Sequence, residues 1–179
     1  KDDSGVPGMT ENPDFHGLYE RRHSGNEEVN YLASYRFMIK IGNEYGKGKT
    51  YTSVSKADIP GLTDTSYSRI RSMMANLQKK SFFKNYSNAN KKAFVFGVAM
   101  HTSTDTFAHS TYRYYNGTWY SITHAINEEK GQYKKNEADN SKFVPERFDM
   151  AYRAERNTLY RYQGKRSDVA VCHDFHAAN

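Results

Sequence analysis

The amino-acid sequence predicts an all-α fold, a helical bundle with long connecting loops. Apolar residues recur at the spacing of a helix in four segments, and stretches rich in Gly, Asn and Ser separate these segments. We find no β-rich region, no internal repeat and no Gly-rich loop of the kind that binds phosphate. The 179 residues are enough for one domain with a sizeable hydrophobic core.

We expect a single helical domain over residues 1–179 that has three parts. Residues 1–15 contain Gly and Pro among polar residues, and we expect them to form an extended arm. Residues 27–163 are predicted to form the helical core, and residues 164–179 a polar C-terminal tail.

The first two helices of the core are predicted from apolar periodicity and from residues that start or stop helices. The first runs from residue 27 to about residue 45, and Gly46 and Gly48 end it. After a loop, the second begins near Asp64 or Ser66, which are both residue types that cap helix N-termini. Its apolar residues at helical spacing are Ile70, Met73, Met74 and Leu77.

Two more helices are predicted in the second half of the chain. Ser87 or Asn88 caps the third helix, whose apolar residues surround nearly the whole cylinder, so we expect it at the centre of the bundle. After a polar stretch over residues 116–141, Pro145 is suited to be the first residue of the last helix. The apolar side of that helix is predicted to consist of Phe148, Ala151, Tyr152, Leu159 and Tyr160.

The composition indicates an aromatic core and a basic surface. Apolar residues make up only 37%, but there are 15 Tyr and 10 Phe, so we expect buried Tyr hydroxyls that have hydrogen-bond partners. The net charge of +6 favours anionic partners such as phospholipid head groups or nucleic acid. The positive charge lies in short clusters, among them Lys79-Lys80 and Lys91-Lys92, which we interpret as a bias in partners and not as a binding motif.

Three structural features are excluded by the sequence. The single cysteine, Cys172, excludes an intramolecular disulfide and every Cys-rich zinc site. No apolar stretch approaches the roughly 20 residues that a membrane-spanning helix needs.

The stretch HTSTDTFAHS, residues 101–110, places three candidate metal ligands at four-residue steps. His101, Asp105 and His109 form a slowly drifting stripe, because each step advances roughly 40° around a helix. Imidazole nitrogen and carboxylate oxygen are ligands that Zn²⁺ accepts where thiolates are absent. We interpret the stripe as a metal site. The alternative is two hydrogen-bonded core histidines and a solvated carboxylate.

A second pair of candidate ligands lies in the stretch HAINE, where His124 and Glu128 are again four residues apart. A single pair of this kind often arises by chance. The two patterns together lie within 28 residues and contain three of the seven histidines, which favours a metal site.

The pattern FGVAMHTSTDTFAHS followed by THAINE resembles the zinc-dependent phospholipase C family and its related zinc-dependent nucleases. The residues that match the family's ligands, in chain order, are His101, Asp105, His109, His124 and Glu128. The spacing from Asp105 to His109 is shorter than in the well-known secreted members, so the chain resembles a divergent or partial member. The resemblance implies an all-helical bundle similar to the zinc-dependent phospholipase C fold, with two or three bound Zn²⁺ ions.

The family also uses ligands upstream of this pattern, including another His and an Asp. The element NPDFHG contains His16, preceded by Asp14, and the resemblance assigns His16 to the upstream His ligand. An exposed loop histidine is the alternative interpretation. Asp58 and Asp64 match the upstream Asp by position alone.

Three more residues are candidate ligands with simpler alternatives. Asp139 lies in a charged loop and is an alternative to Glu128, although the motif favours Glu128. His173 and His176 are closely spaced in the stretch CHDFH, for which a polar C-terminus is the simpler interpretation.

The resemblance implies a zinc-dependent phosphodiester hydrolase, phospholipase C-like, in which metal-activated hydroxide attacks phosphorus. Asp105 and Glu128 are the expected catalytic residues. The expected substrate is a phospholipid head group or another anionic phosphodiester, bound in contact with a membrane surface. The aromatic residues between positions 112 and 120 are placed to line a head-group or nucleoside pocket, and plain core packing is an equal alternative.

Two other functions remain open at this point. The first is a zinc-dependent nuclease of related fold, which the positive charge and the aromatic residues favour. The second is a non-catalytic, metal-stabilised helical module of a larger secreted protein. Since the chain begins with Lys1, we expect a secreted or extracytoplasmic, bacterial-type protein from which a leader has been removed.

Overall fold

The fold is helical, as the sequence predicts. The computed structural model describes residues 6–7, 12–16, 31–109, 111–115, 118–122 and 145–165. The described helices are α1 (Pro13–His16), α2 (Tyr31–Gly46), α3 (Asp64–Lys79), α4 (Ser81–Lys84), α5 (Asn88–His109) and α6 (Pro145–Tyr162). Short 3₁₀ turns at Tyr51–Ser53 and Lys56–Asp58 lie between α2 and α3.

The observed helix boundaries follow from local capping. Helix α2 ends at Gly46, and Gly48 has a φ of 78°, a left-handed conformation that favours glycine at the end of a helix. The N-cap of α3 is Thr63 and not Asp64 or Ser66, because the Thr63 hydroxyl accepts a hydrogen bond of 3.0 Å from the Ser66 backbone N–H. The prediction was wrong by one to three residues, since Asp64 and Ser66 already lie inside the first turn.

The two later helices begin where the sequence predicts. The hydroxyl oxygen of Ser87 accepts a hydrogen bond from the backbone N–H of Asn90 at 3.2 Å, which caps α5. Pro145 is the first residue of α6, where its lack of an N–H has no cost.

Helix α5 is central, and packs against α1, α2 and α6. Its approach to α2 is close at Gly42, where a Cβ atom would lie 2.7 Å from a ring carbon of Phe96. The opposite situation holds at Gly97 of α5, which is exposed and where a Cβ atom would have no neighbour within 4 Å. The close contact of α2 with α5 at this point is therefore possible because Gly42 has no side chain.

The core is aromatic, and its buried Tyr hydroxyls have the hydrogen-bond partners that we expected. Tyr35 and Tyr45 are each 1% exposed. The Tyr35 hydroxyl lies 2.7 Å from the Thr158 hydroxyl of α6, and Gln78 donates a hydrogen bond of 2.9 Å to the Tyr45 hydroxyl. Burial raises the pKa of Tyr45 to about 12, because the phenolate would be poorly solvated there.

The predicted apolar side of α6 is wrong for its larger members. Phe148 is 60% exposed, Tyr152 57% and Leu159 48%. The face that packs into the bundle contains Ala154, Thr158 and Arg161. The Thr158 hydroxyl bonds to Tyr35 and to its own helix, so a polar residue can replace an apolar one there.

The predicted arm and the predicted loop after α5 both contain regular structure. Residues 13–15 are helical and not extended, and Val6, Asn12, Asp14 and Phe15 are buried. A two-stranded antiparallel hairpin, which the sequence analysis did not predict, joins β1 (Thr111–Tyr115) and β2 (Thr118–Ile122). The predicted tail lies outside the described residues from residue 166 onward. None of the helices in the described ranges has the length and hydrophobicity required to cross a bilayer.

Candidate metal centre

The second half of α5 brings His101 and Asp105 together. The two residues lie one turn apart on the same helix, and the imidazole Nε2 of His101 is 3.1 Å from the carboxylate Oδ2 of Asp105. Both side chains are partly buried, with exposed fractions of 31% for His101 and 14% for Asp105. This geometry follows directly from the four-residue spacing that the sequence contains.

Helix α1 packs against α5 at the position of His101. The ring of Phe15 stacks on the His101 imidazole, with 4.4 Å between the ring centroids and 19° between the planes. The buried hydroxyl of Thr102, the next residue along α5, donates to the backbone carbonyl of Phe15 at 2.8 Å. His16 directly follows Phe15 in the chain, so the backbone of His16 lies near His101, although its side chain is outside the described part.

A buried carboxylate fixes α1 to two further helices. Asp14 is 0% exposed, and its Oδ1 accepts a hydrogen bond of 2.8 Å from the hydroxyl of Ser34 on α2. Its Oδ2 lies 2.9 Å from Nε of Arg69 on α3, which is the distance of an ion pair without the angles of a hydrogen bond. The backbone N–H of Asp14 also donates to the side chain of Asn12. Four residues of helix are thus held by polar contacts to α2, α3 and α5.

Sequence reasoning noted Asp14 only as the neighbour of His16 and missed its structural role. A signal was present, since Asn12 and Pro13 are residue types of an N-cap and of a first helical position. They could have indicated a short helix in place of an arm. The burial of Asp14 depends on Ser34 and Arg69, which lie 20 and 55 residues further along the chain, so local patterns could not reveal it.

The remaining predicted ligands lie at the end of α5 or outside the described residues. His109 is the last residue of α5, and its side chain is not described. His124, Glu128 and the alternative ligand Asp139 lie outside the described residues, as do His173 and His176. The positions of these five side chains relative to His101 therefore stay predictions.

The upstream carboxylates suggested by position have other partners. Asp58 accepts hydrogen bonds from Ser55 and lies 3.7 Å from Nζ of Lys40. The bond from the Ser55 backbone N–H lowers the pKa of the Asp58 carboxyl. Asp64 is exposed and 2.7 Å from Nζ of Lys56. The contacts of both residues explain them as surface capping and pairing groups.

The His101 and Asp105 side chains contact each other directly, at a separation slightly shorter than that of two ligands on one zinc ion. Tetrahedral zinc with ligand bonds of about 2.0–2.2 Å holds two donor atoms roughly 3.3–3.5 Å apart, and the observed separation of Nε2 and Oδ2 is 3.1 Å. Among the described side chains, however, no group of three His, Cys, Asp or Glu residues is arranged to hold a metal ion. Further ligands would have to come from the predicted residues whose side chains are not described.

Comparisons of the chain with protein-family models, with curated proteins and with solved structures find no match. The helical architecture agrees with the expected fold class. The resemblance to the zinc-dependent phospholipase C family stays a prediction, which depends on the motifs and on the geometry around His101 and Asp105.

Proposed function

We propose that the protein is a zinc-dependent phosphodiester hydrolase, most similar in chemistry to phospholipase C. The observation that supports this proposal most is the His101–Asp105 pair, partly buried and 3.1 Å apart, with the segment that contains His16 packed against it. His109, His124 and Glu128 are proposed as the other ligands of two or three Zn²⁺ ions.

The contact of α1 with α5 supports the inclusion of His16. His16 and His101 are separated by 85 positions in the chain. Phe15 nevertheless stacks on His101, and Thr102 bonds to the carbonyl of Phe15. These contacts place the backbone of His16 near the proposed metal site on α5.

The contacts of the residues around the pair support roles for them in the proposed site. The Phe15 ring restricts the rotation of the imidazole, so that Nε2 stays directed toward Asp105. Asp105 is the more buried of the two, and a carboxylate in such a site gains from a cationic partner. When bound, zinc ions activate water for attack on phosphorus and neutralise the phosphoryl oxygens. The net charge of +6 suits a substrate that carries a phosphodiester.

The test of this proposal is the zinc content of the full chain, measured by elemental analysis after purification with excess zinc and dialysis. We expect at least two ions per chain, and we expect Asp105→Asn and His101→Ala each to lose at least one of them. Asp64→Asn is the matched control, because that carboxylate is exposed and paired with Lys56. Full zinc content in Asp105→Asn, or no zinc in the unchanged protein, would refute the assignment.

Substrate assays then distinguish the three functions that the sequence left open. Hydrolysis of phosphatidylcholine that depends on zinc and on Asp105 supports the phospholipase C-like function. Cleavage of single-stranded DNA with the same dependence and without lipid hydrolysis would identify a nuclease in its place. Tightly bound zinc with neither activity would identify a metal-stabilised module.

A further inference from the structure

The segment that joins α3 to α5 has an unusual charge. Residues 79–92 contain five lysines and neither Asp nor Glu, although acidic and basic residues are mixed over most of the chain. The sequence pairs Lys79-Lys80 and Lys91-Lys92 lie at the two ends of this segment. The proposed hydrolase site does not use any of these residues.

The fold gathers four of these lysines around the one-turn helix α4. The backbone N–H of Lys84 bonds to the carbonyl of Lys80 at 3.0 Å, which places these two residues one turn apart. Lys79 is the last residue of α3 and exposed. The Nζ atom of Lys91 lies 5.9 Å from the ring centroid of Phe83, a residue of α4. We call Lys79, Lys80, Lys84 and Lys91 the lysine cluster.

The lysine cluster differs from the described lysines between α2 and α3 in its lack of neighbouring acids. Lys47 and Lys49 both pair with Glu44, and Lys56 pairs with Asp64. Within the described part of the chain, no carboxylate forms an ion pair with a member of the lysine cluster. Lys92 is not a member, because its Nζ donates to the carbonyl of Tyr162. No carboxylate of the described residues therefore neutralises the positive charge of the cluster.

A group of packed aromatic rings supports the lysine cluster. Phe82, Phe83, Tyr86 and Phe94 have ring centroids 5.6–6.3 Å apart, and all the pairs are tilted or edge-on. Rings that pack on one another in this way offer few open faces for stacking on nucleic-acid bases. The basic residues of the segment are all lysines, which lack the forked donors by which Arg recognises phosphate and base edges.

We propose that the lysine cluster binds the surface of a lipid bilayer that contains anionic lipids. Lys79 and Lys84 are exposed and Lys80 and Lys91 are half-buried, and point charges on such long side chains fit a surface whose negative charge is spread out and laterally mobile. This proposal does not depend on the hydrolase function, because the cluster lies at the start of α5 and the metal pair lies in its second half. Lys91, the member of the cluster on α5, and His101 are separated by roughly 15 Å of helix.

The experiment is sedimentation of the full chain with sucrose-loaded vesicles. The vesicles contain phosphatidylcholine alone or phosphatidylcholine with phosphatidylserine at about one third of the lipid. The test variant combines Lys79→Gln, Lys80→Gln and Lys84→Gln. The control variant combines Lys40→Gln, Lys49→Gln and Lys56→Gln, which removes the same net charge from lysines that pair with acids. A third variant with Lys→Arg at the three test positions keeps the charge.

We expect binding only to the vesicles that contain phosphatidylserine, and we expect it to weaken as salt is added. Each lysine near such a surface contributes about fivefold, so the test variant should bind roughly 100-fold more weakly. The control variant should lose much less, and the Arg variant should bind like the unchanged protein.

Equal losses in the test and control variants would overturn the proposal, because net charge alone would then explain the binding. Absence of binding that depends on phosphatidylserine would also overturn it. A third contradicting result would be that the unchanged protein binds DNA, and that the test variant loses DNA binding but keeps its binding to vesicles. Circular dichroism and thermal unfolding verify that each variant is folded. If the Gln variant unfolds, the vesicle binding of the Arg variant still tests whether positive charge at these three positions is sufficient.

Discussion

The two halves of α5 bury different kinds of side chain. In the first half, Val95, Phe96 and Ala99 are at most 3% exposed and pack in the apolar core. In the second half, Thr102 and Ser103 are at most 1% exposed, and their hydroxyls donate to backbone carbonyls. The first half is stabilised by packing, and the second by hydrogen bonds that must each be satisfied.

This difference teaches where the helix can tolerate change. Apolar packing tolerates a substitution that conserves volume but not one that adds an atom to a filled space. A position with a buried hydrogen bond tolerates a change in side-chain volume poorly. It tolerates the loss of the donor even less, because the buried carbonyl that accepted the bond then has neither that partner nor water. Three predictions test whether these two rules divide α5 in the way that its burial pattern indicates.

The largest effect on stability is expected at the contact of α2 with the first half of α5. Gly42→Ala would place a methyl group 2.7 Å from the Phe96 ring, and we expect it to lower the free energy of unfolding by about 1–3 kcal/mol. Gly97→Ala is the matched control, because its Cβ meets nothing within 4 Å, and it should raise stability by about 0.5–1 kcal/mol. Urea unfolding of both variants measures the difference, and the zinc affinity of both should equal that of the unchanged protein.

The next effect is expected in the second half, at Thr102. Thr102→Val keeps the shape and removes the donor to the carbonyl of Phe15, which should cost about 1–2 kcal/mol. Under the proposed function it should also weaken zinc binding about 10-fold, since α1 would no longer be held at His101. Thr102→Ser restores the hydroxyl and should restore the affinity, measured by competition with a chromophoric chelator. Equal zinc affinity in the Val and Ser variants would show that α1 does not position the metal ligands.

The smallest effect on stability is expected at Glu44, near the C-terminal end of α2. The side chain of Glu44 accepts a hydrogen bond of 2.7 Å from Lys47, and this bond lowers the pKa of the Glu44 carboxyl below its usual 4.5. A lowered pKa in the folded state means that the pair stabilises the protein fully above pH 4.5 and loses this contribution as the pH falls further.

The measurement for this prediction compares thermal unfolding of the unchanged protein and of Glu44→Gln from pH 7 to pH 3. The unchanged protein should be the more stable at pH 7, and the gap should close below about pH 4.5 as Glu44 takes up a proton. A gap that stays constant over this range would contradict the assigned cause, because Gln lacks the charge at every pH.

The sequence predicts the elements whose causes are local. The period of apolar residues and the capping residues Ser87 and Pro145 indicate helices α5 and α6 with the correct first turns. The His101–Asp105 pair is also local, because four-residue spacing brings two side chains together on any helix. These predictions need no knowledge of what the helix packs against.

The features that sequence reasoning missed depend on distant residues. The buried face of α6 was misjudged because Thr158 is satisfied by Tyr35, which lies 123 positions earlier. The arm was misjudged because Asp14 is buried by partners on α2 and α3. In each case a polar side chain lies in the interior, and only the tertiary fold supplies the partner that makes its burial tolerable.

The small size of α1 has a consequence for how a metal centre of this design would assemble. A helix of four residues cannot persist alone, since forming its first turn costs more than its few backbone bonds return. Helix α1 therefore exists only as a docked element, and under the proposed function its docking would precede or accompany the binding of an ion. Any ligand supplied by this segment would be available only in the docked fraction, and the apparent affinity for zinc would be reduced by that fraction. A bound ion and the contacts of the buried Asp14 would in this way both stabilise the docked state of α1.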